Sequence, residues 1–173
     1  MKRLLLPLMV VFLISSMYSQ ESSKYISKVE TLDSTLKTLY EVISGDKGME
    51  RDWDLFRYLF HPDAKLIPSG KHRDGGISAR FITADEYING SGKWLVENGF
   101  HEIEINRKVD TFGNVTQVFS TYEAKRSKSD PEPFMRGINS IQLLNDGSRW
   151  WILNIYWTQE SASNPIPQKY LPN

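Results

Sequence analysis

The sequence contains no cysteine. Disulfide frameworks, cysteine-ligated zinc, iron–sulfur clusters and cysteine nucleophiles are therefore excluded. An excess of one charge is also missing, because 21 Lys and Arg residues balance 21 Asp and Glu residues. A protein held on nucleic acid by its net charge needs a basic patch or stripe, so we expect no nucleic-acid partner.

The motifs of common cofactor and metal sites are missing as well. The sequence has no P-loop, no GxGxxG fingerprint, no GxSxG nucleophile elbow, and no HxH, HxxxH or HExxH spacing among its 3 histidines. We therefore predict neither a cofactor nor a metal ion. What is present, 173 residues with 40% hydrophobic and 12% aromatic residues, is typical of one globular domain.

Residues 1–19 have the pattern of a secretory signal peptide. Two basic residues precede an apolar run from Leu4 to Ile14, and the small residue Ser19 stands at the end of the serine-containing segment 15–19 that follows. The run is shorter than the roughly 20 residues that a membrane-spanning helix needs. We therefore predict cleavage near Ser19/Gln20, export to the periplasm or the cell exterior, and no stable membrane anchor.

The rest of the chain shows no repeat and no linker that would separate two domains. We assign residues 20–28 to an N-terminal segment, residues 29–158 to one folded domain, and residues 159–173 to a proline-containing C-terminal tail.

Periodicity within the domain predicts helices first and strands afterwards. One helix ends at Gly45, a second is capped by Asp52, and a third begins at a capping box formed by Thr83 and Glu86 and ends at Gly99. Strands are predicted at 64–68, 100–109, 115–125, 134–144 and 149–158. This order predicts an α+β fold with three N-terminal helices packed on one face of a curved antiparallel sheet.

Four short motifs carry a family resemblance. They are Leu59–Ala64, Gly113–Val115, Arg136–Leu143 and Asp146–Ile152. Together with the element order, they resemble the nuclear transport factor 2-like superfamily, a cystatin-like fold that includes ketosteroid isomerase, scytalone dehydratase and SnoaL-like polyketide cyclases. The resemblance implies an α+β cone around an apolar pocket, in whose enzymes an Asp or a Tyr–Asp pair moves protons.

Strand pairing predicts which side chains share the concave face of the sheet. A two-residue turn at Asp146-Gly147 places Asn145 opposite Ser148 and, farther along, Asn139 opposite Asn154. The longer loop near Ser129-Asp130 indicates a register that pairs Glu123 with Arg136. The face is apolar except for a polar cluster, and its predicted ligand-binding residues are Ser120, Tyr122, Asn139, Trp150, Asn154 and Tyr156. The alternative is that the two asparagines only satisfy each other's hydrogen bonds.

Catalytic candidates are few. On the predicted register Ile103 and Ile105 face the pocket and no acidic strand residue does, which departs from the pattern of the resembling enzymes. The catalytic residues stay unknown, and His61 with Asp63 is the candidate pair for an oriented general base. The alternative, which turn chemistry favours, is that these residues only end the second helix.

The opposite sheet face is predicted to be apolar and free of helices. It carries Phe119, Trp151, Leu153, Ile155 and Trp157. An exposed patch of this size is typical of an interface, so we predict a homodimer through it. The alternative is that the tail from Asn164 to Pro172 folds back over the patch.

These features favour an exported protein that binds a small apolar ligand in the cone, without indicating a reaction. One alternative is a lyase, isomerase or cyclase acting on an apolar ring or a polyketide-like substrate. The other is a non-catalytic interaction scaffold with a vestigial pocket. An open pocket favours ligand binding, and a filled cone favours the scaffold.

Overall fold

The computed structural model describes residues 24–72 and 74–172, so the predicted signal peptide, residues 1–19, lies outside the described residues. The elements are a 3₁₀ turn at Ile26–Lys28, α1 Leu32–Ile43, α2 Trp53–Leu59, β1 Phe60–Lys71, β2 Ile77–Ala79, α3 Ala84–Tyr87, a π-helical turn Ile88–Gly92, α4 Lys93–Asn98, β3 His101–Phe112, β4 Val115–Lys125, β5 Met135–Asn145, β6 Trp150–Gln159 and a 3₁₀ turn Gln168–Tyr170. None of the helices in the described ranges has the length and hydrophobicity of a membrane span.

Two of the helices, α2 and α3, begin at side-chain caps that the sequence predicts. The Asp52 side chain accepts a hydrogen bond from the Leu55 amide at the start of α2, with a distance of 2.9 Å. Thr83 and Glu86 form the predicted capping box before α3. From there α3, the π-helical turn and α4 continue as one helical stretch, which ends at Gly99 with a φ of 72°.

The sheet has the strand order β2-β1-β6-β5-β4-β3. β1 is longer than the predicted strand 64–68, and it pairs in parallel with β6, whereas the other neighbours are antiparallel. The helices cover one face of the sheet, which we call the inner face, and the opposite face is the outer face. The core between the two layers includes Leu36, Leu39, Phe56, Leu59, Val118, Ile141, Leu143 and Ile152. The predicted α+β fold is confirmed, with a mixed rather than an entirely antiparallel sheet.

β4 and β5 pair in the predicted register. Glu123 lies opposite Arg136, and Ser120 lies opposite Asn139. Because directly opposite residues in an antiparallel pair point to the same face, Ser120 and Asn139 both point inward. Both side chains are buried.

The predicted turn between β5 and β6 is wrong. Asn145 pairs with Trp150, not with Ser148. The Asp146 carboxylate accepts hydrogen bonds from the backbone amides of Ser148 and Arg149, both at 2.8 Å, and this ties the loop into a wider turn.

A second register shift lies farther along β6. Pairing shifts between Leu143 and Gln142, which leaves Leu153 as an extra residue in β6. One extra residue reverses the face of every side chain that follows it. Asn154 and Tyr156 therefore lie on the outer face. Ile155 and Trp157, which we predicted on the outer face, lie on the inner face.

β3 contains a bulge of the same kind. Its pairing with β4 shifts between Asn106 and Glu104, so that Ile105 is the extra residue. As a result, Glu104 lies opposite Tyr122 and Glu102 lies opposite Ala124, on the inner face. The predicted inward placement of Ile103 is wrong, since that side chain is 52% exposed. The absence of an acid from the strand positions, also predicted, is wrong for the same reason.

The C-terminal tail folds back across part of the outer face. The ring of Tyr170 packs on Phe119 with a centroid distance of 4.9 Å, and the hydroxyl of Thr121 donates to the Tyr170 carbonyl at 2.7 Å. Ile166 is buried, and its amide donates to the Glu160 carboxylate at 3.0 Å. The alternative in which the tail covers the apolar patch therefore holds for the part of the patch around Phe119.

Candidate ligand-binding cavity

A cavity of about 220 Å³ lies between the inner face of the sheet and the helices. Aromatic side chains form much of its wall, including Phe56, Phe60, Tyr87, Trp94, Phe100 and Trp157. Polar groups also reach it, among them Glu102, Tyr122 and Asn139. An apolar cavity with a few converging polar groups is the usual form of a small-ligand site.

Glu102 is the acidic residue in this cavity. The β3 bulge turns its side chain inward, between the sheet and the helices. Burial raises the pKa of the Glu102 carboxyl to about 8, because the apolar walls disfavour its ionised form. The Asn139 amide opposes this shift by hydrogen bonding to the carboxyl group. Glu102 is therefore a carboxyl group that gains or loses its proton close to neutral pH.

Three tyrosine hydroxyls interact electrostatically with Glu102. They belong to Tyr40 on α1, Tyr87 on α3 and Tyr122 on β4. Burial is the main cause that raises the pKa of each hydroxyl, and the negative charge of Glu102 raises it further. The three groups are therefore neutral hydroxyls at physiological pH and can donate hydrogen bonds.

A chain of hydrogen bonds runs from the cavity wall at Asn139 through the core to Glu104. The Asn139 Nδ2 group donates to the Tyr40 hydroxyl at 3.1 Å, and the Tyr40 hydroxyl lies 2.6 Å from the Ser120 hydroxyl. Ser120 donates to Oε1 of Glu104 at 2.5 Å. Because the single hydroxyl proton of Ser120 is used on Glu104, Tyr40 must donate to Ser120. Every donor in the chain therefore points toward Glu104.

An ion-pair network fixes the end of this chain. Nε of Arg107 lies 3.2 Å from Oε2 of Glu104, and Nη1 of Arg107 lies 3.0 Å from Oδ1 of Asp33 on the surface. The guanidinium group contacts one carboxyl oxygen of Glu104, and the other oxygen accepts the hydrogen bond from Ser120. This arrangement directs the Asn139 amide nitrogen toward Tyr40.

Gly137 makes room for the hydroxyl of Tyr122. It lies directly opposite Tyr122 on β5, where a Cβ atom would be 2.5 Å from the hydroxyl oxygen and 2.6 Å from the Thr158 carbonyl oxygen. Contacts this short do not occur in folded proteins, so any side chain here would displace Tyr122.

Half of the predicted ligand-binding residues lie at the cavity or directly behind it. Tyr122 and Asn139 line the cavity, and Ser120 supports it through Tyr40. The prediction that Asn154 and Tyr156 reach the pocket is wrong. The Asn154 amide donates to the Gln142 side chain at 2.8 Å on the outer face, and Tyr156 is 48% exposed. The sixth residue, Trp150, packs against the edge of the core.

The predicted pair of His61 and Asp63 is not part of the cavity. Nδ1 of His61 accepts a hydrogen bond from the Asp63 backbone amide at 3.2 Å, and the His61 ring packs against Trp151. The Asp63 side chain is 93% exposed. His61 and Asp63 lie at the start of β1, just after the last residue of α2, which agrees with the alternative in which the two residues only end that helix.

The acidic residue of the cavity was missed because the bulge leaves little trace in the sequence. In the run from Glu102 to Ile105, acidic and apolar residues alternate, so either set fits an inward face. If β3 paired with β4 without a bulge from the turn after Phe112, the isoleucines would point to the inner face. One extra residue in β3 places the glutamates on the inner face instead. The unusual presence of two acids in an otherwise half-buried strand was the available signal.

Comparisons with known proteins give a consistent fold. No model of a protein family and no curated protein sequence matches the chain. A protein of unknown function with a cystatin-like fold from Nostoc punctiforme superposes with a TM-score of 0.56, at 10% identity, over 76% of this chain and 90% of that chain. An NTF2-like protein of unknown function from Silicibacter pomeroyi reaches 0.54, at 14% identity, over 80% of this chain and 98% of that chain.

A third structure agrees with these two. An NTF2-like protein from Cytophaga hutchinsonii has a TM-score of 0.52, at 12% identity, over 73% of this chain and 93% of that chain. At such identities the likeness concerns the fold and carries no information on activity. In this sense the predicted resemblance is confirmed, and the chain has the nuclear transport factor 2-like fold.

Proposed function

We propose that this protein binds a small organic molecule in the cavity between the inner sheet face and the helices. The observation that carries the proposal is the position of Glu102, a carboxyl group on the wall of an otherwise largely aromatic cavity. The ligand would place an apolar ring or chain against the aromatic walls and a polar group near Glu102 and Asn139.

Energetics support a functional role for this carboxyl group. Burying a carboxyl group costs free energy unless it finds partners, and a hydrophobic residue of similar size would stabilise the fold better. A strongly shifted pKa in a cleft is typical of a functional site, and burial shifts the pKa of Glu102 to about 8. The open cavity also argues against the scaffold with a vestigial pocket.

The same observation favours a second candidate, a proton-transfer enzyme of the lyase, isomerase or cyclase type. A group with a pKa near the working pH is a good general acid or base. Ionised Glu102 would remove a proton from a carbon next to a ligand carbonyl, and the neutral Tyr122 hydroxyl would donate to the oxygen that gains charge. This role parallels the acid of the resembling enzymes, but at a residue that we identify only from the tertiary structure.

Copurification tests the binding proposal. The mature protein is purified natively, and the small molecules released on denaturation are identified by mass spectrometry. Ser91 lines the cavity from the π-helical turn, whereas Asn89 in the same turn is exposed and does not line it. We expect the wild type and Asn89→Trp to carry the same compound, and Ser91→Trp to lose it because the indole fills part of the cavity.

A melting curve of each variant confirms that both remain folded. If no compound is enriched on the wild type, or if Ser91→Trp retains it in full, ligand binding in this cavity is wrong. For the second candidate, cyclic ketones are incubated with the protein in D₂O and followed by NMR. Deuterium exchange next to the carbonyl that disappears in Glu102→Gln would support proton transfer.

The proposal includes action outside the cytoplasm. Its support is the pattern of residues 1–19, a basic start followed by a short apolar run and a segment that ends at the small residue Ser19. An exported protein without cysteine needs no oxidative folding.

A further inference from the structure

We propose that the cavity selects ligands that carry an organic ammonium group, which would bind against Glu102 within the aromatic wall. This inference rests on the proposed ligand-binding function and adds the chemical class of the ligand. Three independent features of the described structure lead to it. They are the aromatic rings of the cavity wall, the lack of a basic partner for Glu102, and the use of the neighbouring hydrogen-bond donors by other groups of the protein.

The rings provide the first feature. Phe56 and Tyr87 stack with a centroid distance of 5.3 Å and an angle of 21° between planes, and Trp94 meets Phe100 edge to face at 6.3 Å. All four line the cavity. The face of an aromatic ring is electron-rich and attracts cations, most strongly when water is excluded, and cages of such rings bind quaternary ammonium groups.

The missing counter-charge is the second feature. Within residues 24–72 and 74–172, no ion pair joins Glu102 to a basic side chain, and no cation contributes to its pKa. The arginines near the cavity are engaged elsewhere, and Arg51 donates to the backbone carbonyls of Ile43, Gly45 and Leu95. Arg107 pairs with Glu104 and Asp33, and the guanidinium of Arg126 lies over the rings of Trp94 and Phe134. A ligand cation would therefore supply the charge that stabilises ionised Glu102.

The third feature is that the polar neighbours of Glu102 already use their hydrogen-bond donors within the protein. The Asn139 amide nitrogen donates one hydrogen to Tyr40 and hydrogen-bonds Glu102 with the other, and the Ser120 hydroxyl donates to Glu104, so neither group has a donor left for an anion. A carboxylate or phosphate ligand would meet Glu102 and ring faces without a cation. Among charged ligands, the cavity therefore favours cations.

Binding of a cation changes the protonation of the site. The pKa of Glu102 is about 8 in the empty cavity, so at neutral pH most molecules hold a proton there that an ammonium ligand must displace. The titratable groups facing Glu102 are Tyr40, Tyr87 and Tyr122, whose raised pKa values keep them neutral, and the ion-paired Glu104 on the same strand. As the pH increases toward 8, the affinity for a permanent cation should therefore rise about tenfold per pH unit. Above about pH 8 the affinity should stay constant.

The test uses three probes of similar size in titration calorimetry with the mature protein. They are benzyltrimethylammonium, its uncharged carbon isostere neopentylbenzene, and acetophenone as a neutral hydrogen-bond acceptor. We expect the ammonium probe to bind at least about tenfold more tightly than either neutral probe at pH 7, because the cation gains both the carboxylate and the ring faces. Its affinity should follow the pH dependence given above.

Two variants identify the source of this preference. Glu102→Gln keeps the size of the side chain and removes the charge, so it should reduce the preference to the part that the ring faces supply and abolish its pH dependence. Ile103→Gln, on the exposed side of the same strand, should retain both. Neutral probes that bind as tightly as the ammonium probe would overturn this inference and leave the proposed function standing. No binding of any of the three probes would count against both.

Discussion

The hydroxyl oxygens of Tyr40 on α1 and Ser120 on β4 lie 2.6 Å apart, deep in the core. This bond joins the helix layer to the sheet and connects Asn139 at the cavity with the Glu104–Arg107 ion pair near the surface. It also explains why a polar cluster on the inner face is compatible with a stable core, since the side chains of Asn139, Tyr40, Ser120 and Glu104 are joined by hydrogen bonds.

Removal of the Tyr40 hydroxyl should destabilise the fold. Tyr40→Phe leaves the buried Asn139 amide without its acceptor, which costs about 1–3 kcal/mol of unfolding free energy. Urea denaturation measures the change. Tyr156→Phe removes a hydroxyl from an exposed ring on the outer face and serves as the control, expected to stay within about 0.5 kcal/mol of the wild type. Equal losses in the two variants would contradict the proposed network.

The pKa of Glu102 makes stability depend on pH. It rises from an ordinary value of 4.5 to about 8 in the folded chain, so between these values the folded chain holds a proton that the unfolded chain has released. The free energy of unfolding should therefore fall as pH rises through this window, by up to about 1.4 kcal/mol per pH unit.

Glu102→Gln should flatten this part of the profile. Urea unfolding at several pH values between about 5 and 8 measures the slope. Glu123→Gln changes an acid on the opposite face of the neighbouring strand β4 and should leave the slope as in the wild type. Parallel profiles for the wild type and Glu102→Gln would show that Glu102 titrates normally.

Gly137 should not tolerate a side chain. Gly137→Ala places a methyl group against the Tyr122 hydroxyl and the Thr158 carbonyl, and overpacking of this kind costs about 1–3 kcal/mol. Displacement of Tyr122 should also weaken ligand binding in the cavity. Gly70→Ala, in β1, meets no atom within 4 Å and is the matched control. Thermal unfolding measures the stability of the two variants, and calorimetry measures their ligand binding. If Gly137→Ala unfolds at the same temperature as the wild type, the strands separate at little cost in free energy.

Export is predicted from residues 1–19. The secreted or periplasmic protein should begin at Gln20, because the signal peptide is removed after Ser19. Mass spectrometry of the intact protein from a native host measures the start of the chain. A mature protein that keeps the run from Leu4 to Ile14 would disprove cleavage.

The homodimer through the outer face stays a prediction, with a smaller contact area than the sequence indicates. Ile155 and Trp157 point inward and the tail covers Phe119, but Tyr156 remains 48% exposed and Leu153 36% exposed. Light scattering at micromolar concentration should give the mass of two chains for the wild type and of one chain for Tyr156→Glu. Phe81→Glu, at an exposed position before α3, should remain a dimer. A wild-type mass of one chain would refute the dimer.

Much of the architecture is determined locally and was predictable from the sequence. The Asp52 cap, the Thr83–Glu86 capping box and the helix end at Gly99 depend on bonds within a few residues, so their residue types indicate them directly. The register of β4 and β5, with Glu123 opposite Arg136, follows from matching apolar alternation on both strands.

The tertiary structure alone decided which side chains reach the cavity. The bulges at Ile105 and Leu153 each add one residue to a strand whose alternation looks regular, and each reverses the faces beyond it. One bulge brings Glu102 inward and the other turns Asn154 outward. The sequence specifies alternation along each strand, but the absolute face depends on packing against helices and partner strands that are distant in the chain, and this packing places the acid in the cavity.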